Sequence, residues 1–379
     1  MKTFHIRHVA LGICATTLLC SPVIAQSQVK VGVMQGLSGP PAIVDFGESY
    51  LQGIRLALKD HEASDPKIKI ELVVYDDEAN PQRAVSLAQR LIQSDRVSAV
   101  IGTVSSGNVL AMAPSFQKAG IPLVAGPAAV TAIAQQFIGE KPSYIFRCSM
   151  VTRFETNVIT DWAVQSNKKI GLLHSTTGAG LTALKEIEEL LGAKGKKLTL
   201  VEAAAPGVND LTPQLIKMRD AGVEILMNFH ESYELAFRPL ARINYKPSIV
   251  GPWGLSSMKV PQIVGKQALE GTMMSQAFDA STEAGKIFDQ RMRKEYGSAY
   301  RWPVVASLGY DAGQIVFKAV ERVGKPNAVD IRNAIENTTD LKAVSATPAK
   351  PFSATDHECL DPKDIFLGHW TDGTVSRMN

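Results

Sequence analysis

From Val29 onward the chain repeats one pattern: a short β-branched run, a turn, then a stretch with apolar residues at helical spacing. Val29–Met34 reads as a strand and Phe46–His61 as a helix, followed by a strand over Ile68–Tyr75. The next helix is marked at its start by Asn80 as N-cap and Pro81 at its first position; Ala84, Leu87, Ala88, Leu91 and Ile92 line one face of it. Val97–Ile101 reads as a strand, Ser106–Ala119 as a helix and Ile121–Val124 as a strand. Strands and helices alternating in this way build a parallel sheet covered on both faces.

The pattern restarts after Phe146-Arg147. Helices over Arg153–Gln165 and Leu181–Leu191 interleave with strands over Ile170–His174 and Leu198–Glu202. Thr212-Pro213 opens another helix before a strand over Glu224–Asn228; Tyr233–Ile243 is helical, and Ser248–Gly251 and Gly271–Ser275 are strands. Late helices cover Glu283–Tyr296, Ser307–Val323 and Val329–Asn337, and a short strand near Ile365–Trp370 closes the chain. Two successive α/β halves predict two lobes with ligand space between them. No Pro- or Gly-rich linker stands at residue 147, so the lobes should be joined by close crossing strands.

The N-terminus adds a compartment. Lys2 and Arg7 precede an apolar run from Val9 to Leu19, Ser21-Pro22 breaks it, and Val23-Ile24-Ala25 offers a cleavage site. This order reads as a secretory signal peptide over residues 1–25, cut near Ala25; the run falls short of the ~20 apolar residues a spanning helix needs. The rival is a buried N-terminal element, and a lipoprotein reading of Cys20 meets Leu19 where a small residue is expected. Without Lys2 and Arg7 the chain has 38 basic against 37 acidic residues. That balance argues against electrostatic capture of nucleic acid or an anionic membrane, and about 350 residues suit two lobes better than one core. Outside the leader only Cys148 and Cys359 remain. An oxidising compartment permits them to pair, and two buried free thiols are the alternative.

Several runs then become specific. Val29-Lys30-Val31-Gly32-Val33, Leu37-Ser38-Gly39-Pro40, Phe46-Gly47 and Gly53-Ile54-Arg55-Leu56-Ala57 resemble the start of the branched-chain amino-acid-type periplasmic binding proteins. Asp76-Asp77, Pro81, Val100-Ile101-Gly102, Ser106, Ala113-Pro114, Ile121-Pro122, Phe146-Arg147, Gly251-Pro252 and Gly309-Tyr310-Asp311-Ala312 continue the resemblance over the mature chain. The resemblance implies two Rossmann-like lobes joined by three crossovers and closing on a ligand by hinge motion. Lobe one would hold 28–146 and 276–348, and lobe two 149–273 and 350–379.

The same resemblance implies a site. In amino-acid-binding members lobe one grips a carboxylate, and the serine that does so falls on Ser106, beside Ser105. A hydroxyl with backbone N–H groups at a helix start makes an anion clamp; the plainer reading is an N-cap, worth ~1 kcal/mol. The next loop falls on Pro127-Ala128-Ala129, with Val130 where a threonine is expected and Thr131 one place later. Phe46 falls at an aromatic wall or in the lobe core. Trp302 joins the candidates.

Lobe two departs further. The family's tyrosine-glycine pair is Thr177-Gly178 here, and the second aromatic falls near Phe229 or His230. The glutamate expected in a Gly-Pro-Glu-Gly turn is Trp253. A carboxylate that neutralises a buried ammonium cannot become an indole without a large desolvation penalty. The expected ligand is therefore a small carboxylate with an apolar, aromatic body. Glu231 or Glu234 as a replacement carboxylate keeps the amino-acid reading open.

Other chemistry finds little support. Asp76-Asp77-Glu78 could hold metal but stands where a solvated loop precedes a capped helix. The histidines lack metal spacing. His174–Gly178 has no G-x-S-x-G elbow, and Gly178-Ala179-Gly180 lacks a third glycine at dinucleotide spacing. No cofactor, metal or enzymatic reaction is expected. An exported, monomeric receptor of an ABC importer, docking on its membrane permease, comes first; a sensor of the same fold comes second.

Overall fold

The computed structural model describes residues 1–3 and 27–378. The leader reading, apart from Met1–Thr3, lies outside the described residues. β1 (Ser27–Gln35), β2 (Ile68–Asp76), β3 (Ala99–Gly102), β4 (Leu123–Ala125) and β5 (Ile145–Arg147) form one parallel sheet in the order β2-β1-β3-β4-β5. Helices α1 (Pro41–Ala63), α2 (Pro81–Arg90), α3 (Ser106–Ala119) and the short α4 (Ala132–Gln135) connect its strands. Asn80 caps α2 by accepting from the Arg83 N–H at 2.9 Å. α1 begins five residues before Phe46, because Pro41 at its first turn already holds a helical φ.

The second sheet runs β12-β11-β10-β9-β8-β6-β7. β6 (Ile170–Ser175), β7 (Leu200–Ala204), β8 (Ile225–Phe229), β9 (Ser248–Gly251) and β10 (Met273–Gln276) are parallel; β11 (Phe366–Thr371) and β12 (Thr374–Arg377) add an antiparallel edge. β6 is buried along its whole length, as a strand with helices on both faces must be. α5 (Thr152–Val164) leads into β6, and α6 (Gly178–Ala193), α7 (Thr212–Asp220), α8 (Phe237–Arg242), α9 (Val260–Val264) and α10 (Lys266–Leu269) lie between the strands from β6 to β10.

The chain passes between the sheets three times: after β5, after β10, and before β11. α11 (Glu283–Tyr296), α12 (Pro303–Val323) and α13 (Ala328–Glu336) follow β10, and α12 lies against α1 of the first lobe. Glycine sets that approach. A Cβ on Gly53 would stand 2.0 Å from the Ala306 carbonyl oxygen, and one on Gly309 would stand 2.2 Å from that of Tyr50. Gly309 in the Gly309–Ala312 run is therefore a packing requirement. Asp311 is buried and accepts from the Val344 and Ser345 N–H groups at 2.9 and 3.0 Å, anchoring the last crossover.

Candidate functional site

Most of the candidate residues stand in loops at the carboxyl ends of parallel strands, where the chain leaves the sheet and backbone N–H groups become available. In the first lobe β3 leads to Ser105 and Ser106, and β4 leads to Ala128, Ala129 and Thr131. The helix cap is Ser105 rather than Ser106: its Oγ accepts from the Asn108 N–H at 3.4 Å. Ser106 is the first helical residue, and its Oγ accepts from the Val130 N–H at 3.3 Å, stitching the two loops together. The Ala129 carbonyl accepts from the Thr152 N–H at 2.8 Å, and Ala128 is buried. Thr103 Oγ1 and both side-chain polar atoms of Asn108 are buried without a partner among the described residues. A buried polar group left so costs about 1–3 kcal/mol.

In the second lobe Thr177 caps α6, accepting from the Gly180 N–H at 3.4 Å, and donates its hydroxyl to the Glu231 carboxylate. Ser175 Oγ lies 2.7 Å from Thr177 Oγ1 and 3.3 Å from the same carboxylate. The structure thus brings Glu231, from the loop after β8, to the corner where Thr177 stands. Phe229 is buried at the end of β8. His230 Nδ1 accepts from the Ser232 N–H at 3.2 Å and its Nε2 donates to the Ala205 carbonyl at 3.4 Å. Both ring nitrogens are engaged by backbone, so the ring braces the loop.

Three candidates far apart in sequence form one cluster. The Phe46 and Trp302 ring centroids are 3.9 Å apart, and those of Phe46 and Trp253 are 5.3 Å apart. Phe46 and Trp302 belong to the lobe of β1 and Trp253 to the lobe of β9, so the aromatic contact joins the two lobes. Trp253 and Trp302 are 4% and 3% exposed, and the Trp302 indole N–H has no partner among the described residues. Further ties cross beside it. Asp45 is paired with Arg301 of its own lobe and Lys259 of the other, and the Met258 N–H donates to the Arg301 carbonyl at 2.9 Å. Thr131 donates to Glu186 of α6 at 2.8 Å.

Glu155 is the residue that sequence reasoning missed. Thr152-x-x-Glu155 has the spacing of a capping box, but the side chain turns inward instead. Its Oε1 accepts from the Trp253 N–H at 3.0 Å and the Ser275 hydroxyl at 2.7 Å. Burial pushes its pKa up to about 7 against those two bonds. It fixes the turn that presents Trp253. Asp76 accepts from the Leu37 N–H of the loop after β1 and from the Glu78 N–H, and Asp77 accepts from the Ala79 N–H.

Two lobes built on mainly parallel sheets, crossed three times by the chain and meeting near their strand ends, have the fold of a type I binding protein. The chain belongs to the periplasmic binding protein family, whose model matches residues 28–374. It is 23% identical over 374 residues to a Leu/Ile/Val-binding protein homolog of Brucella abortus, covering 97% of each chain. It shares the fold of the branched-chain amino acid transporter substrate-binding protein LivJ from Streptococcus pneumoniae, solved with isoleucine, at TM-score 0.79 and 19% identity, over 93% of this chain and 99% of that one. An ABC transporter solute-binding protein from R. palustris, solved with 4-hydroxybenzoate, matches at TM-score 0.76 and 21% identity, over 93% and 96%.

Proposed function

We propose that this protein is the exported solute-binding receptor of an ABC importer, a monomer that captures a small carboxylate with an aromatic body and delivers it to a membrane permease. Lobe one is taken as 28–146 with 276–348, and lobe two as 149–273 with 350–379. The observation that carries the ligand class is the aromatic cluster of Phe46, Trp253 and Trp302. Trp253 stands in the turn where the family resemblance expects an ammonium-pairing glutamate, and an indole offers an apolar face and one N–H donor instead. The Ser105–Ser106 helix start supplies the anion end, where backbone donors and the helix dipole favour negative charge. The 4-hydroxybenzoate complex of a fold neighbour supports the same chemistry.

A second reading, an amino acid, draws on Glu231. Held by Thr177 and Ser175, its carboxylate could pair with an ammonium group. A thermal-shift panel of aromatic acids and amino acids separates the two. A ligand present at 100 times its Kd and binding only the folded state adds ~2.7 kcal/mol. The proposal expects the largest upward shift from a benzoate-type acid. A shift confined to amino acids, and lost in Glu231→Gln, would establish the second reading instead.

A further inference from the structure

The chain leaves the first sheet through Arg147-Cys148-Ser149 and returns to the second lobe through His357-Glu358-Cys359-Leu360. These two crossovers lie side by side in fixed register. The Arg147 N–H donates to the His357 carbonyl at 2.9 Å, and the Cys359 N–H donates to the Arg147 carbonyl at 2.8 Å. Arg147 also forms a buried ion pair with Glu358. This register turns Cys148 and Cys359 toward each other, with their sulfurs 2.7 Å apart and both residues fully buried. A disulfide bond is about 2.05 Å long, so a movement of well under an ångström would join them. Around the pair, the Cys148 thiol donates to the Leu308 carbonyl and Cys359 Sγ lies beside Thr347 Oγ1, each at 3.6 Å.

We propose that Cys148 and Cys359 form a disulfide in the exported protein, covalently tying two of the three crossovers on which the lobes turn. The oxidant is a protein disulfide donor of the extracytoplasmic space or, in a refolding buffer, oxidised glutathione. One cysteine thiolate attacks the donor disulfide and expels a donor thiolate. The second cysteine then attacks the mixed disulfide and expels the other. Two electrons and two protons pass from the cysteine pair to the donor, which leaves reduced. The exchange occurs before folding completes: burial pushes the Cys148 thiol well above its ordinary range once the hinge has packed, so the folded thiol is a poor nucleophile. In an oxidising compartment the bond then persists.

The test uses the chain recovered from the periplasm. In parallel, the purified mature chain is refolded with oxidised and reduced glutathione, which keeps the result independent of the leader. Each sample is denatured with an alkylating reagent present, then digested with and without prior reduction. The proposal predicts one disulfide-linked peptide pair carrying Cys148 and Cys359, which separates into two alkylated peptides only after reduction. It also predicts that reductant lowers the Tm of the wild type by at least about 5 °C, while a Cys148→Ala/Cys359→Ala variant already melts low and does not respond. Alkylation of both cysteines without reduction in the glutathione-refolded sample overturns the proposal. That reading needs the wild type alone, should the variant fail to fold.

Discussion

Glu155 shows how one residue can carry both stability and site geometry. Its pKa is about 7 in the fold against 4.5 for an ordinary glutamate, so the folded state holds a proton that the unfolded chain has released. The associated stability is fully present below about pH 4.5 and is lost as pH rises through 7. At 1.36 kcal/mol per unit this comes to about 3 kcal/mol. Denaturant titrations from pH 4 to pH 8 should show the wild type losing about that much relative to Glu155→Gln. Parallel pH profiles for the two proteins would refute the assignment. Some of this scale was readable in the sequence: Phe46, Ser106, Thr177 and Trp253 stand out as residues because of their positions in recognisable runs. The role of Glu155 was not readable, since Thr-x-x-Glu spacing at a helix start is the mark of a cap, and only tertiary packing turns the carboxylate inward. Nor were the backbone bonds of His230, which depend on how the loop after β8 folds back toward Ala205.

At the scale of elements, the helix and strand periods located most of the architecture. α3 over Ser106–Ala119 and α11 over Glu283–Tyr296 have the bounds that their apolar spacing predicts. The Asn80-Pro81 start of α2 is equally local, and Asn80→Ala should cost about 1 kcal/mol in a denaturant titration; an unchanged midpoint would contradict the cap. The edge strand β12 escaped the periodic reading because Thr374-Val375-Ser376-Arg377 holds a single apolar residue. The signal that could have found it is Asp372-Gly373, both at positive φ, the pair that a tight hairpin turn requires. The contacts between elements of different lobes had no local signature. Asp45 of α1 meets Lys259 only because the lobes face each other. Asp45→Asn should therefore loosen the contact between the lobes: small-angle scattering of the ligand-free protein should show a larger radius of gyration, with weaker ligand binding. An unchanged radius and affinity would remove Asp45 from the closure.

For the whole molecule, two mainly parallel sheets and three crossovers make relative motion of the lobes the natural response to a ligand that touches both. The aromatic cluster joins the two lobes. The two-lobed plan was legible from the repeated strand–helix period and its restart after Arg147. The site as a constellation was not, because Phe46 meets Trp302 only through the packing of α12 on α1, and Trp253 reaches them from the other lobe. Titration calorimetry of 4-hydroxybenzoate and of leucine, on the wild type and on Trp253→Ala, tests the central claim most directly. The account predicts one saturable site for the aromatic acid, weaker or no binding of leucine, and about a tenfold loss of aromatic affinity in Trp253→Ala, the equivalent of ~1.4 kcal/mol. Tight leucine binding that Trp253→Ala leaves unchanged would contradict it.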